Sequence, residues 1–443
     1  MKYPESPNRI VIREYDSLAI GQRWDTIRRM ISRSQALAIE HFQQRKNIRY
    51  FDIGISSIKA TNWVGSFGIG HHCIDVVPKI DLPSDQDGTC QTMENLLYMI
   101  ATAGLVPVSS AEVARLARSD KPLIVAFMDL YVRELSREWH RGPIRRYMRL
   151  EMNRPFLRGK LLFQQQVTEN TFHHERFFTA NDEFTSDNPV SRFLKAAVRA
   201  CEMQQLSGAL ARCARDLAKL MDEIEDMPLN VLDMGSIHVD RSILRFDPHI
   251  SLAKLILEET SPESSPAGQM IRTLMFDMNM VFERFIANEC KRALAASEYT
   301  ARIQISGKSL LRRDGKRVFD LRPDIGVFRA GTLACLLDTK WKRLDPAKSH
   351  CNVIQNDMYQ MYAYGKEFQA PLSILLYPKV GQLPAEVAEY EHPPVGGQPP
   401  RTIRVMTVDV SSPLARMDVR RTLCQALRLM VEGSGALHEA DCC

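Results

Sequence analysis

The first region of the chain alternates short β-rich runs with helical patterns of apolar residues. The β-rich runs are Arg9–Ile12, Arg49–Ile53 and His72–Val77, and the helical patterns are Trp24–Gln44, Glu94–Ala103 and Pro122–Trp139. Period-two alternation is typical of strands, and apolar residues recurring every three or four positions are typical of helices. A Gly-Pro turn signal follows at Gly142-Pro143, so we predict a small α+β domain over residues 1–140.

The next region has mainly helical patterns. Asp187-Asn188-Pro189 supplies a capping residue and a first-turn proline before an amphipathic stretch that runs from Val190 to Gln205. A second amphipathic stretch runs from Ser207 to Ile224, and the segment Ser261–Pro266 has the composition of a linker. These patterns predict a mostly helical middle domain over residues 141–265.

After this segment the pattern changes to a long helix, then strands, then another helix and a strand. Apolar residues from Leu274 to Ile286 recur at helical spacing and predict a buried helical face with Glu283 on its flank. A strand pattern runs from Thr402 to Val410. We therefore predict an α/β domain over residues 267–410, followed by a helical tail over residues 411–443.

Composition supports a folded multidomain protein and excludes several classes. The 443 residues are 45% hydrophobic, enough for a core in each domain, and 58 basic against 53 acidic residues give a net charge of only +5. The longest apolar runs, such as Leu123–Met128, are far shorter than the roughly 20 residues that cross a bilayer. No membrane span or signal peptide is predicted, so a cytoplasmic location is expected. The ten cysteines form no Cys-x-x-Cys pair, which argues against a zinc ribbon.

Candidate chemistry lies in the predicted α/β domain. Pro323-Asp324 begins one apolar run, and a second apolar run leads into Asp338-Thr339-Lys340, which together have the form PD-(D/E)xK. Residues two apart in a strand share a face, so Asp338 and Lys340 are expected to project together. The intervening Phe328–Thr332 predicts a hairpin turn that returns the chain and brings Asp324 close to Asp338.

Two carboxylates and a lysine in this arrangement are typical of phosphodiester hydrolysis. Mg²⁺ prefers hard oxygen ligands, and Asp324, Asp338 and the carbonyl of Thr339 are predicted to supply them, with Mn²⁺ as a possible substitute. Lys340 is predicted to orient the attacking water or to stabilise the charged transition state. The same Asp-x-Lys pattern also occurs at ordinary exposed strand ends, so its context has to carry the assignment.

Three flanking residues supply that context. Glu283 lies beside the core face of its predicted helix, and Gln360 and Tyr364 lie four apart on one face of a helix predicted around Gln355–Tyr364. We predict that Glu283 reaches the metal site and that Gln360 and Tyr364 steady Lys340 or touch DNA. Glu283 as a solvated helix residue and the tyrosines as core aromatics remain alternatives.

Two stretches are strongly basic. Residues 141–160 contain seven basic residues and one acidic residue, interleaved with Tyr147 and Phe156. They can hold a phosphate backbone, meet an acidic partner or form a solvated face. Residues 301–350 contain twelve basic and five acidic residues, which suits a nuclease that draws DNA to a carboxylate site. Ser306–Ser309 is not a phosphate-binding loop, since the required first glycine is Arg302, and no nucleotide is predicted to bind.

With these residues in place, the chain resembles the McrC family, the nuclease subunits of the McrBC modification-dependent restriction systems. The most specific matches are Met275–Phe285, Arg322-Pro323-Asp324, Leu337–Lys342 and Asp357–Tyr364; weaker matches are Ile74–Ile80, Asn95–Met99, Leu157–Lys160 and Asn181–Asn188. The resemblance implies a C-terminal restriction-endonuclease-like domain in which Asp324, Asp338 and Lys340 take the catalytic positions. Glu283, Gln360 and Tyr364 match the flanking positions.

The same resemblance implies partners. It implies a Mg²⁺-dependent endonuclease that works with McrB, a hexameric AAA+ GTPase carrying the modified-base reader, on double-stranded DNA with modified cytosine. The N-terminal and middle regions are then expected to dock onto the ring and to stimulate GTP hydrolysis. Two alternatives remain open: an autonomous nuclease of the RecB-like repair type, and a mainly non-catalytic subunit that activates the GTPase.

Overall fold

The computed structural model describes most of the chain and divides it into two compact units. The first unit takes residues from 1–122 and 264–443, and the second takes residues 123–263. The described residues are 8–79, 88–119, 121–203, 208–227, 240–241, 243–260, 263–264, 270–379, 381, 383–391, 401–411 and 419–425. Of the predicted helical tail, residues 419–425 are helical, and most of the others lie outside the described residues, as does most of the predicted Ser261–Pro266 linker.

The N-terminal part of the first unit mixes strands and helices, as predicted. Its elements are β1 (Arg9–Arg13), β2 (Ser17–Gly21), β3 (Met30–Ser32), α1 (Arg33–Lys46), β4 (Phe51–Ile53), β5 (Ser57–Ala60), β6 (Trp63–Ile69), β7 (His72–Val77), α2 (Gly88–Thr102) and α3 (Ser110–Ala117). Ser32 caps α1, since its hydroxyl accepts from the Gln35 N–H while the Gln35 side chain accepts from the Ser32 N–H. The helix therefore begins at Arg33 and not at Trp24, where the pattern placed it.

The second unit contains helices and a small sheet. Its elements are α4 (Leu123–Arg141), β8 (Arg146–Arg154), β9 (Lys160–Leu161), α5 (Phe163–Asn170), β10 (Phe177–Thr185), α6 (Pro189–Glu202), α7 (Gly208–Leu220), a 3₁₀ turn (Leu244–Phe246) and α8 (Asp247–Thr260). Asn188 caps α6 by accepting from the Ser191 N–H at 3.1 Å. The sheet order is β8-β10-β9, so the prediction of a mostly helical middle region is incomplete. In β8, Met148, Leu150 and Met152 alternate with polar residues at period two, but this signal lies in a stretch dominated by arginines. In β10, polar residues lie on both faces and hide the period-two signal.

The C-terminal part of the first unit follows. Its elements are β11 (Glu263–Ser264), β12 (Met270–Asp277), α9 (Met278–Leu294), β13 (Tyr299–Ile303), β14 (Lys308–Arg313), β15 (Lys316–Leu321), β16 (Ile325–Arg329), β17 (Thr332–Thr339), a 3₁₀ turn (Ser349–Asn352), α10 (Gln355–Phe368), β18 (Leu372–Pro378), β19 (Glu386–Glu391) and β20 (Thr402–Val408). The predicted helix over Leu274–Ile286 is corrected at its start. Asp277 caps α9 by accepting from the Asn279 N–H at 2.9 Å, so Leu274 and Met275 belong to β12.

A five-stranded sheet joins the two ends of the first unit. Its order is β1-β7-β6-β12-β11, and β12 runs antiparallel to β6. Gly65 in β6 has φ +129°, and a Cβ there would lie 2.0 Å from the Leu274 carbonyl oxygen. Only glycine allows this close approach of the two backbones. The strand that begins the predicted nuclease region therefore pairs with the N-terminal region.

A six-stranded sheet carries the candidate chemistry. Its order is β13-β16-β17-β18-β20-β19, with β17, β18 and β20 parallel and the remaining pairs antiparallel. Helix α10 connects β17 to β18 and packs Met361 and Tyr364 against Leu336, Leu375 and other core residues of the sheet. The fold is mixed α+β. Among the described residues, no helix is long and apolar enough to cross a membrane.

Candidate active site

The predicted hairpin is formed by β16 and β17, and it places Asp324 beside the end of β17. Asp324 comes directly before β16, and its Oδ2 accepts hydrogen bonds from the Thr339 N–H at 2.7 Å and the Thr339 hydroxyl at 2.8 Å. The turn residues Ala330 and Gly331 both have positive φ, as a two-residue hairpin turn requires. We call Asp324, Asp338, Thr339 and Lys340 the strand-end cluster.

Asp338 and Lys340 form a buried ion pair at the end of β17. Asp338 is 1% exposed, and its Oδ2 is paired with the Lys340 ammonium. Burial, and then the negative charge of Asp324, raise the pKa of the Asp338 carboxyl above its ordinary value. Burial disfavours the charge of Lys340, but the adjacent Asp338 outweighs it, so the pKa of Lys340 is raised. The charges of Asp324, Asp338 and Lys340 therefore affect one another's ionisation.

Helix α10 holds Lys340 from the other side. Lys340 Nζ donates to Gln360 Oε1 at 3.0 Å, and Gln360 Nε2 donates to the Tyr364 hydroxyl at 2.7 Å. The Tyr364 hydroxyl in turn donates to the Arg322 carbonyl oxygen at 3.2 Å. Gln360 and Tyr364 are one helical turn apart, so both reach the same spot. This chain of hydrogen bonds fixes the lysine and the segment that leads into Asp324.

Glu283 on α9 lies on the Asp324 side. Burial, and then the charge of Asp324, raise the pKa of Glu283 above its ordinary value. Its carboxylate accepts from Gln304 Nε2 at 3.1 Å, and the Gln304 N–H donates to the Asp324 carbonyl oxygen at 2.6 Å. Gln304 was missed by sequence reasoning, because nothing in its local pattern marks a residue that joins a distant helix to the hairpin.

The oxygen atoms of the cluster fit a hard divalent cation. Asp338 Oδ2 is buried and, apart from its ion pair with Lys340, has no hydrogen-bond partner in the described part of the chain. Asp324, the Thr339 carbonyl and Glu283 are further oxygen donors of the kind that Mg²⁺ prefers. Within the described ranges, however, no three His, Cys, Asp or Glu side chains stand close enough to hold an ion together. A cation here needs the backbone carbonyl and water as well as the two aspartates.

A buried carboxylate from the N-terminal region supports the segment after Lys340. The Trp341 indole N–H donates to both carboxylate oxygens of Glu14 at 3.1 Å, and the Lys79 N–H donates to Glu14 Oε2 at 2.9 Å. Burial raises the pKa of Glu14 to about 7. The Trp341 ring also packs on Phe282, with 5.3 Å between the ring centres. Sequence reasoning missed Glu14, which precedes its partner by most of the chain.

A second buried acid lies on α10. Asp357 is 6% exposed, and it accepts from Lys342 Nζ at 2.9 Å and from the Tyr377 hydroxyl at 3.2 Å. Burial, and then the charge of Asp357, raise the pKa of Tyr377 well above its ordinary value. The Lys342–Asp357 pair ties the end of the β17 segment to α10, one turn before Gln360.

The basic residues of 141–160 form ion pairs with acidic residues that lie outside this stretch of the sequence. Arg146 pairs with Asp240 and Arg154 pairs with Glu183 at 2.9 Å, while Arg141 pairs with Glu138 at 3.0 Å. Folding therefore neutralises much of the charge that the sequence concentrates there.

Comparisons with known proteins agree on one family. A family model described as McrBC 5-methylcytosine restriction system component matches residues 58–378. A chain of the refined half-complex from the tetradecameric assembly of Thermococcus gammatolerans McrB AAA+ hexamers with bound McrC has a TM-score of 0.71 and 19% identity, covering 94% of this chain and 100% of that chain. A chain of the cryo-EM structure of the Thermococcus gammatolerans McrBC complex has a TM-score of 0.50 and 22% identity, covering 65% of this chain and 88% of that chain. No curated protein matches. At these identities the similar structures show the fold alone.

Proposed function

The chain belongs to the family of McrBC 5-methylcytosine restriction system components, and from this we propose that it is the endonuclease subunit of such a system. In this proposal the six-stranded sheet with α9 and α10 is a PD-(D/E)xK nuclease domain that cuts DNA phosphodiesters. The observation that carries the proposal is the strand-end cluster, in which Asp324 and Asp338 lie at adjacent strand ends and Lys340 is held by Gln360.

Asp324, Asp338 and the Thr339 carbonyl would hold Mg²⁺, with Mn²⁺ as a substitute. When bound, the ion supplies positive charge at the scissile phosphate and lowers the pKa of a water molecule. Lys340 orients the attacking water or stabilises the charge that builds on the phosphate. Gln360 and Tyr364 hold the lysine in place through their chain of hydrogen bonds, and Glu283 adds a carboxylate beside Asp324. Burial of this cluster strengthens each of these interactions, because the local dielectric is low.

The proposed partner is an McrB-like AAA+ GTPase hexamer. Support comes from the similar structures, which contain McrB AAA+ hexamers with bound McrC. We propose that the N-terminal and middle regions dock onto the ring and stimulate its GTP hydrolysis, and that the reader of modified cytosine belongs to the partner. The chain itself then needs no nucleotide, and it works in the cytoplasm on double-stranded DNA.

Cleavage of methylated and unmethylated plasmid by the purified chain tests this proposal. The assay contains Mg²⁺ and GTP, with and without the McrB-like GTPase, and a parallel reaction contains EDTA. We expect cutting of modified DNA only with the partner and the metal, and none with Asp338→Ala. Cutting by the chain alone would instead favour an autonomous RecB-like nuclease. Full activity of the assembled Asp338→Ala complex would refute the site, and GTPase stimulation without any cutting would favour a non-catalytic activator.

A further inference from the structure

The β14–β15 hairpin, which leads into Asp324, concentrates exposed basic side chains. Residues 308–321 contain five basic and two acidic residues. The basic residues, all exposed, are Lys308, Arg312, Arg313, Lys316 and Arg317. The two strands form a sheet of their own in the described part of the chain, so the hairpin is a two-stranded ribbon outside the six-stranded sheet. Strand β14 also packs against helix α10.

The tip of this ribbon holds like charges opposite each other. Asp314 and Gly315 have φ of +50° and +73°, which is the geometry of a tight two-residue turn. This turn fixes the register so that Arg312 lies opposite Arg317. By the same register Arg313 lies opposite Lys316. Four cations are therefore held together, and the turn prevents them from separating.

Within this segment Arg317 donates a hydrogen bond to the Gly307 carbonyl oxygen at 2.7 Å, but the facing of like charges is itself unfavourable. Like charges directly opposite on neighbouring strands are destabilising. Among the described residues, the ion pair at the tip is that of Arg313 with Asp314 at 3.8 Å, and both of its side chains are at least 85% exposed. An exposed pair of this kind contributes little. A polyanionic ligand would remove the repulsion, which points to the kind of partner that the ribbon meets.

The two cationic pairs project from opposite faces of the ribbon. Neighbouring residues of a strand point to opposite sides, so the Arg312–Arg317 pair lies on one face and the Arg313–Lys316 pair on the other. A flat acidic protein surface neutralises only one face at a time. A groove of duplex nucleic acid has phosphates on both walls, and a two-stranded ribbon fits the major groove of DNA. The charge pattern therefore favours a duplex groove.

The base of the ribbon is anchored in the candidate active site. On the incoming side, Gln304 is hydrogen-bonded to Glu283 and to the Asp324 carbonyl oxygen. On the outgoing side, the Arg322 carbonyl oxygen accepts from Tyr364. Six residues per strand at about 3.3 Å each extend the tip about 20 Å from this base. A duplex held by the ribbon is thus positioned relative to the strand-end cluster.

An apolar contact accompanies the cations. Phe319 in β15 is 71% exposed and has φ +59°. A bulky residue in the left-handed region is strained, and such strain is concentrated at functional positions. Leu310 in β14 is also 48% exposed. These side chains can pack on sugars and base edges once the cations have engaged the phosphates.

We propose that the β14–β15 hairpin is a DNA-binding ribbon that enters a groove of the duplex and delivers it to the strand-end cluster. This inference rests on the proposed nuclease function and names the surface that holds its substrate. The ribbon contributes affinity without sequence specificity, since its cations contact phosphates that every sequence carries.

Binding of a fluorescein-labelled duplex without modified bases tests the ribbon. Fluorescence anisotropy is measured over a salt series with the full-length chain and with the R312Q/R313Q/K316Q/R317Q variant. A plot of log K against log salt has a negative slope, and each lost phosphate contact makes it shallower by about 0.9. The slope of the variant should therefore be shallower than that of wild type by about 3 to 4. Affinity at low salt should fall by about 100-fold or more. The variant should melt no lower than wild type, because the like-charge pairs are gone.

The matched control is R23Q/R28Q/R33Q/K59Q, which removes four exposed basic residues of the N-terminal region. It should retain most of the affinity, and an equal loss in both variants would overturn the ribbon in favour of net charge alone. Unchanged DNA binding by the hairpin variant would also overturn it; if GTPase stimulation fell instead, the ribbon would be assigned to the protein partner.

Asp338→Ala separates the proposed DNA-binding ribbon from the proposed catalytic site: it should bind DNA normally and fail to cut. If Asp338→Ala still cuts while the hairpin variant loses binding, the ribbon stands and the catalytic assignment fails.

Discussion

The two compact units differ in the carboxylates that they bury. Among the described residues the first unit buries five, Glu14, Asp75, Glu289, Asp338 and Asp357, whereas the second buries Glu138 and its other buried charges are the cations Arg154 and Lys195. In the first unit, Arg9 pairs with Asp75 where both side chains are at most 4% exposed, and Glu14 and Asp338 are each 1% exposed. In the second unit, Arg149 pairs with Glu151 with side chains 61% and 43% exposed. The Arg199–Asp226 pair is likewise at the surface, with side chains 36% and 55% exposed.

This difference shows where neighbouring groups set the ionisation of a side chain. Burial makes each ionisation depend on its neighbours, so the pKa values of Glu14, Glu283 and Asp338 are all raised. Exposed pairs are screened by water and ions and contribute little. The chemistry of the chain is therefore expected in the first unit, although the second unit contains one of the two most basic stretches of the sequence.

The largest expected effect is on cleavage. Lys340→Met removes the cation to which Gln360 is hydrogen-bonded. Cleavage by the assembled complex should fall by about 1,000-fold, because the charge that we propose stabilises the transition state is lost. Initial rates of plasmid cutting measure this. Arg149→Met in the second unit is the matched control. Assayed with the GTPase partner and the DNA in excess, so that neither docking nor DNA binding limits the rate, it should cut at the wild-type rate. Equal rates for the two variants would remove the contrast between the units.

The next effect is a pH dependence of stability from Glu14. Its pKa rises from 4.5 to about 7 on folding, so the folded state binds more protons than the unfolded state between these values. Stability is therefore lost as pH rises through this window, by about 3 kcal/mol for this one group. Urea denaturation of wild type and Glu14→Leu from pH 4 to 8 measures it. The difference between the two curves should change with pH, and a constant difference would show that Glu14 titrates normally.

The first and second units also differ in how closely other atoms approach the backbone of a glycine. Gly65→Ala should destabilise the first unit by about 2 kcal/mol or more, since its φ is +129° and the added Cβ meets the Leu274 carbonyl oxygen. Gly208→Ala in the second unit is the matched variant, because a Cβ there has nothing within 4 Å. It should be neutral or slightly stabilising in helix α7. Thermal unfolding followed by circular dichroism measures both, and equal melting temperatures would contradict the close approach of β6 and β12.

The smallest effect is expected from an exposed ion pair. Arg149→Gln breaks the pair with Glu151 and should change the free energy of unfolding by less than about 0.5 kcal/mol. Urea denaturation at two salt concentrations measures this, and any difference should shrink as salt is added. A loss above 1 kcal/mol would show that the second unit also depends on its charges.

Local patterns predicted the parts of the fold in which neighbouring residues share one environment. The strand His72–Val77, the Asn188 cap of α6 and the hairpin turn at Ala330-Gly331 all appear where the sequence placed them. Strand β10 was missed because polar residues on both of its faces leave no alternation to read. Strand β8 does alternate, with Met148, Leu150 and Met152 on one face, but its arginines were interpreted as a basic patch and not as the other face of a strand. The helix over Leu274–Ile286 began too early, because apolar residues of a buried strand continue directly into those of the helix.

The sequence by itself determined which groups are available: two aspartates, a lysine two positions after the second of them, and a Gln-x-x-x-Tyr pair at helical spacing. Periodicity is enough for this, since it depends only on residues close in the chain. Only the tertiary structure decided that Glu14 supports Trp341 and that Gln304 joins Glu283 to Asp324. It also decided that the cations of the β14–β15 hairpin lie opposite each other, whereas those of 141–160 form ion pairs with acidic residues. These contacts join residues far apart in the chain, and burial and pairing are properties of that three-dimensional arrangement, which no window of sequence contains.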